Sequence, residues 1–326
     1  MNAIESKLAS ECRIGTKWRI KKNHLQNALH NLTNIRSKAF LASNIPGLKY
    51  SFSLELDNED LSEVNIFLSL NFKITKRIEA NFKISVKSAA FEQNFEGKVY
   101  DESTGWGGTM CTLDELFNVE NNFFVDKFIE IDIDGILKPL GIKRKRTTAA
   151  ESSSLVKVLW NNIDDKNLTI IIKKQQIKVH KWIMCAKSSV FKAELNNPAF
   201  VEAQKNEIEI THFSPEIVKG VIKFCYEQDI TKIINVQNAF HYLRFADKYD
   251  VKDLHEMIQS FLIETLSESN VCLYAEASII FNAHELREFC ICFLMNSVGK
   301  PIKGAEKLPG IILKEIGRRS FLYTSQ

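Results

Sequence analysis

A chain of 326 residues exceeds the usual single-domain size, so two or three domains, each with a core of its own, are expected. Apolar residues make up 45% and charged residues 25%. A formal charge of +3 spreads no broad basic field over this length, which argues against DNA or RNA held by phosphate neutralisation. The seven cysteines (Cys12, Cys111, Cys185, Cys225, Cys272, Cys290 and Cys292) form an odd set with no C-x-x-C pair. That fits reduced thiols in an intracellular compartment better than a disulfide frame.

The opening MNAIESKLASECR lacks the apolar core of a secretory signal, and no window approaches the roughly 20 apolar residues of a membrane span. A soluble chain with no membrane partner is expected. From about Trp18 to Leu137 the pattern has period two, the mark of strands with one buried face. Tyr50, Phe52, Leu54 and Leu56 alternate with Ser51, Ser53 and Glu55. Ile66, Leu68, Leu70, Phe72 and Ile74 alternate with Asn65, Ser69, Asn71, Lys73 and Thr75, with Phe67 breaking the polar side. Ala80, Phe82, Ile84 and Val86 repeat the pattern, and Ile129, Ile131 and Ile133 mark a closing strand before Gly135. Short antiparallel strands with little helix imply a sandwich.

Between Lys138 and Ser154 the apolar period disappears into KPLGIKRKRTTAAESSS, which reads as a linker. Within it Lys143, Arg144, Lys145 and Arg146 form a basic tetrad. It reads equally as a nuclear import signal or as a solvated tether. Leu155, Val156, Leu159 and Trp160 then make a helical stripe, and Leu168 to Ile172 with Ile177 to Val179 read as a hairpin over Lys173 to Gln176. Ser214-Pro215-Glu216 starts a helix over Ile217 to Tyr226. Helical spacing continues over Val236 to Tyr249, Val251 to Thr265, Ser269 to Phe281 and His284 to Ser297. Ser267-Glu268-Ser269-Asn270 supplies a cap, and Ile311 to Ile316 suggests one more short helix.

No motif carries catalysis. His255-Glu256 and His284-Glu285 resemble the start of a zincin helix, but Gln259 and Glu288 stand where the second imidazole is required, so surface helix residues are expected. Gly105, Gly107 and Gly108 bracket a tryptophan and precede no G-K-S or G-K-T, so they read as turn glycines. The cysteines sit in apolar or helical settings, and Cys290 and Cys292 point to different helix faces. No enzyme, cofactor or metal is expected.

The two halves in this order resemble the MATH-BTB/POZ family. In the first half the matching pieces are WRI at 18–20, PGLKYS at 46–51, ANFKISV at 80–86, GWG at 105–107 and LF at 116–117. In the second half KVHKWIMCAKSSVFKA at 178–193 looks like the core BTB motif, followed by FCY at 224–226 and ADKY at 246–249. The resemblance implies a multidomain α+β chain. A MATH, TRAF-like antiparallel β-sandwich would span 10–138, a linker 139–152, an α/β BTB/POZ domain 153–265 and a BACK-like C-terminal helical extension 266–326.

The implied function is that of a substrate-recruiting adaptor of a cullin RING ubiquitin ligase, found in nucleus or cytoplasm. Its expected partners are a cullin scaffold, client proteins with Ser/Thr-rich extended motifs, and a second copy of the chain. The alternative is a BTB scaffold or transcriptional co-regulator without ligase function. The family's peptide groove maps onto Phe67, Phe82, Tyr100, Trp106 and Gly108. Gly108 stands where an aromatic is usual, and Thr104 and Thr109 stand where lysines are usual, so a wider, less basic groove is expected. Taken alone, Phe67 is a lone outward aromatic, Phe82 has core parity, and Trp106 lies on a turn between glycines. The family's cullin contact, an apolar residue and a Glu two positions on, in a loop before a strand, maps onto Phe200, Val201 and Glu202. The dimer contact maps onto Leu155, Val156 and Leu159. Asn167 replaces the usual Asp at the start of the first BTB strand.

Overall fold

The structure is a computed structural model and describes residues 11–72, 77–140, 155–162 and 165–321. The basic tetrad Lys143 to Arg146, and Ile74, lie outside the described residues. The chain divides into two compact units, each taken by itself.

Among the described residues the first unit has nine strands: β1 (Cys12–Lys21), β2 (Ile35–Arg36), β3 (Phe40–Leu41), β4 (Lys49–Leu56), β5 (Glu63–Asn71), β6 (Ile78–Val86), β7 (Phe91–Tyr100), β8 (Gly105–Thr112) and β9 (Phe128–Pro139). One sheet has the order β1-β9-β6-β7. The other runs β2-β4-β5-β8, with β3 paired to β4. Period-two alternation puts Phe52, Leu54, Ile66, Leu68, Ile84 and Ile131 into a single core shared by both sheets. Each such side chain contributes about 2 kcal/mol on burial.

Three sequence expectations need correction here. A helix, Lys22–His30, follows β1, because Leu25 and Leu29 stand four apart and both bury. Strand β9 does not stop before Gly135 but runs through it, since a Cβ there would lie 2.6 Å from Asn81 O and from Phe82 Cβ, and glycine alone lets β9 lie against β6. Finally, Gly105, Gly107 and Gly108 are strand residues of β8, not turn residues.

Residues 291–302 and 309–321, read from sequence as part of one helical extension, cluster with this first unit. The closing helix is Gly310–Phe321, longer than Ile311 to Ile316 suggested, and Ile312 is fully buried. Arg319 is also buried; its Nε donates to Glu315 Oε1 at 2.7 Å and its Nη1 to the Ser43 carbonyl at 3.3 Å. Arg318 holds the same carboxylate, and the two guanidinium groups, Arg318 first, lower the Glu315 pKa to about 2. Since the folded pKa lies below the unfolded one, this contribution is complete above about pH 4.5 and is lost as pH falls toward 2. After a discount for solvent screening we expect Glu315→Gln to remove about 2 kcal/mol at pH 7. Urea titrations of both proteins at pH 7 and pH 3 check this, because the difference shrinks at the lower pH.

In the second unit a helix at Leu155–Leu159 precedes β10 (Leu168–Ile172) and β11 (Gln175–Val179), which form an antiparallel hairpin. Strand β12 (Glu207–Glu209) pairs with β10 in parallel, giving the order β11-β10-β12. The hairpin turns at Lys173, which adopts φ +54°. Helices follow at Lys181–Lys187, Ser189–Asn196, Val201–Lys205, Pro215–Cys225, Val236–Lys248, Lys252–Glu264 and Val271–Ile280. Their starts are written locally: Ser188 Oγ accepts from Phe191 N at 3.0 Å, Ser214 Oγ accepts from Ile217 N, and Asn235 and Asn238 form a capping box. His255 and Gln259 are not the surface residues expected. His255 Nε2 meets the Phe281 carbonyl at 2.8 Å, and buried Gln259 accepts from the Glu285 and Leu286 amides, tying successive helices together. Among the described residues no helix is long and apolar enough to cross a membrane.

Candidate functional site

On the sandwich the groove residues expected from sequence divide between two surfaces. Trp106 lies opposite Leu68 and Gly108 opposite Ile66, so both share the parity that faces between the sheets. Because β8 is an edge strand, Trp106 remains 41% exposed, with Lys98 Nζ 5.1 Å above its ring. Gly108 faces Gln93 and Phe95 of β7. Beneath them Phe82 is buried and stacks on Phe95 at 4.7 Å, which makes it a floor rather than a wall. Tyr100 is fully buried too; its hydroxyl donates to the Leu68 carbonyl at 2.9 Å, and burial raises its pKa far above the usual phenol value. Phe67, by contrast, lies opposite Ser53 and Gly107 on the outward parity and is half-buried. Thr104 and Thr109 are exposed at either end of this stretch, and Thr109 donates to Glu63 at 3.0 Å. Gln93, Phe95 and Lys98 escape the sequence reading, though the alternation in FEQNF marks a strand. Gln93 Oε1 is a buried acceptor without a hydrogen-bond partner beside Gly108.

The two adjacent glycines of β8 differ in kind. A Cβ on Gly107 would fall 1.8 Å from Ile66 O, inside a backbone contact that has no means of yielding. On Gly108 its one tight contact would be the end of the Gln93 side chain at 3.1 Å, which a rotamer change relieves, with Phe95 Cε1 at an ordinary 3.7 Å. We therefore expect Gly107→Ala to cost about 2 kcal/mol and Gly108→Ala within about 0.5 kcal/mol of the parent. Chemical unfolding followed by tryptophan fluorescence separates them, and equal costs would show that β8 does not approach β5 this closely.

In the second unit Phe200 and Val201 are 44% and 55% exposed, and Glu202 is partly exposed beside them. They do not lie in a loop: Phe200 is the residue that precedes the one-turn helix Val201–Lys205, and Glu202 is in its first turn. The turn is built by backbone and neighbouring side chains. Phe200 N donates to Asn197 O at 3.0 Å, Gln204 N to Phe200 O at 3.2 Å, and Gln204 Nε2 to Pro198 O at 2.9 Å. None of these bonds uses the Phe200 side chain. Glu194 lies nearby, its carboxyl pKa raised by burial and then by Glu202.

At the start of this unit Val156 and Leu159 are half-buried, while Val158, absent from the sequence reading, is 59% exposed; Leu155 opens the helix. Asn167 takes a local task, accepting the Lys181 backbone N–H at 3.0 Å. Between these elements His180 and Tyr226 form a buried pair: the Tyr226 hydroxyl accepts from His180 N at 2.9 Å and lies 2.7 Å from His180 Nδ1. Trp160 packs edge-on against Tyr226 at 5.2 Å.

Residues 157–266 match the model of the BTB/POZ domain family. This unit is a BTB/POZ domain. The chain is similar to BTB and MATH domain-containing protein 42 of Caenorhabditis elegans, 29% identical over 136 residues, which are 42% of this chain and 33% of that protein. It is also similar to BTB and MATH domain-containing protein 40 of the same organism, 27% identical over 139 residues, 41% of this chain and 35% of that protein. The matched stretch thus spans about a third of each relative. Among solved structures it is similar to the BTB domain of human gigaxonin, with 20% identity, coverage of 33% of this chain and 86% of that one, and a TM-score of 0.29. The BTB domain of zebrafish PATZ1 matches at 14% identity over 37% of this chain and 98% of that one, again with a TM-score of 0.29. Antiparallel sheets stand ahead of the BTB/POZ domain in sequence, and both relatives are named for BTB and MATH domains.

Proposed function

We propose that this chain is a substrate-recruiting adaptor of a cullin RING ubiquitin ligase. Its BTB domain pairs two copies and docks a cullin, and its sandwich captures an extended, Ser/Thr-rich segment of the client. The observation that carries this reading is the exposed Phe200-Val201 pair with Glu202 beside it, displayed on a turn whose own bonds do not use those side chains. An aromatic anchor entering a partner's pocket supplies affinity, and a flanking carboxylate supplies orientation. Trp106 gives the sandwich its own exposed anchor, with Lys98 over its ring. The adaptor performs no chemistry in this scheme: two client sites and two cullin arms on one dimer raise the effective concentration of acceptor lysines near the charged conjugating enzyme. Nuclear or cytoplasmic action belongs to the same proposal. Co-precipitation of a cullin with the full chain, compared with the Phe200→Ala, Glu202→Lys variant, tests it.

A further inference from the structure

The outward face of the β2-β4-β5-β8 sheet carries a polar pattern that the peptide-capture reading does not use. Strand register lays it out in rows. Arg36, Ser53, Phe67 and Gly107 form one row, Ser51, Ser69 and Gly105 the next, and Lys49 with Asn71 the third. A depression of about 360 Å³ lies over these rows, lined by Arg36, Ser51, Ser69, Asn71, Thr104 and Gly105 among others. Every polar side chain lining it is a hydrogen-bond donor and none is a carboxylate. Arg36 is exposed, as is Lys49 directly across from Asn71, and neither has an ion-pair partner among the described residues. The acidic side chains of this sheet, Glu55 and Glu63, stand at its other end, where Thr109 and Asn34 already engage them.

We infer that this depression is a subsite for a phosphorylated serine or threonine of the bound client, an inference that rests on the peptide-capture reading. A phosphomonoester carries about −1.5 to −2 charges at pH 7 and three strong acceptor oxygens, which suits one guanidinium, one ammonium and a ring of hydroxyl and amide donors. An apolar side chain in the same place would desolvate those donors without return. A nucleic-acid strand needs a track of cations, and a chain of net charge +3, with Arg36 and Lys49 as the basic residues among the described strand residues of this face, offers none. Phe67 and Gly107 lie in the adjoining row of the same face, beyond the residues that line the depression.

The test is a peptide array of randomised Ser/Thr-rich sequences, each synthesised unmodified and phosphorylated, probed with the full-length chain, its Trp106→Ala variant, and the Arg36→Gln, Lys49→Gln variant. Both substituted basic residues are exposed, and an unchanged melting temperature confirms folding. The expected result is roughly tenfold stronger capture of phosphorylated spots, lost in the double variant and declining below about pH 6 as the phosphate takes up a proton. Inorganic phosphate as sole competitor distinguishes a free-anion site: displacement by phosphate alone at equal concentration overturns the inference. Capture that depends on Trp106 but is indifferent to phosphorylation overturns it while leaving the groove intact. If no peptide is captured in either form and Trp106→Ala changes nothing, peptide capture itself fails and this subsite with it.

Discussion

A full-length chain carrying Phe200→Ala with Glu202→Lys is expected to lose cullin co-precipitation by at least about a hundredfold in affinity while remaining a dimer, as burying aromatic anchors at interfaces is commonly worth about 2–4 kcal/mol. The stability of the BTB domain should barely change. Phe200 contributes to its turn through backbone atoms, which alanine keeps, and its ring is 44% exposed in the free chain. Lysine at 202 forgoes a favourable charge at a helix start, an effect of about 0.5 kcal/mol, but also relieves the repulsion felt by Glu194. Sedimentation and thermal unfolding check that the dimer and fold persist. Undiminished cullin recovery by this variant would remove the proposed docking mode, and loss of the dimer alongside it would show that the segment serves assembly instead.

The second large effect concerns Tyr226→Phe, for which we expect destabilisation of the BTB domain by about 3 kcal/mol, since two buried hydrogen-bonding groups lose their partner at once. The Tyr226 hydroxyl accepts the His180 backbone N–H and lies within hydrogen-bond distance of His180 Nδ1, so it serves two buried groups of the same residue. Nε2 has no partner among the described residues, so the variant would strand the whole imidazole in the core. Burial, followed by the positive charge of Lys166, lowers the His180 pKa. On acidification the unfolded chain therefore takes up this proton before the folded one does, and stability declines as pH drops below about 6.5. Denaturant midpoints from pH 8 to pH 5, measured on the parent and on His180→Gln, read both effects. A parent whose midpoint is flat across that interval would show that His180 does not titrate differently on folding.

Much of the fold is legible because its signals are local. Strict alternation in residues 50–56 and 80–86 assigns Phe52, Leu54, Ile84 and Val86 to the inner face, and all four are buried. Ser214 and the Asn235-Asn238 pair mark helix starts by chemistry within four residues. Misreadings arise where the decisive neighbour is remote. Nothing near Gly135 in sequence announces that Asn81 and Phe82 lie against it, and nothing near Gly107 announces Ile66. His180 and Tyr226 both fall inside recognisable motifs, yet their hydrogen bond spans 46 residues and has no sequence signal.

The candidate site shows the same division. Periodicity along the chain is enough to separate an antiparallel half from a largely helical one, while resemblance to the MATH-BTB family is what singles out Phe200-Val201-Glu202 and Trp106 and marks Gly108 as a departure. Whether those side chains face solvent or core depends on contacts that sequence does not order. Tertiary structure exposes Phe200 and Trp106, buries Phe82 and Tyr100, and sets Phe67 on a different surface from Trp106. The physical reason is that periodicity reports only which side of a strand a residue takes. Burial depends also on whether that side is covered, and at an edge strand such as β8 the neighbour that would cover it is missing over part of its length.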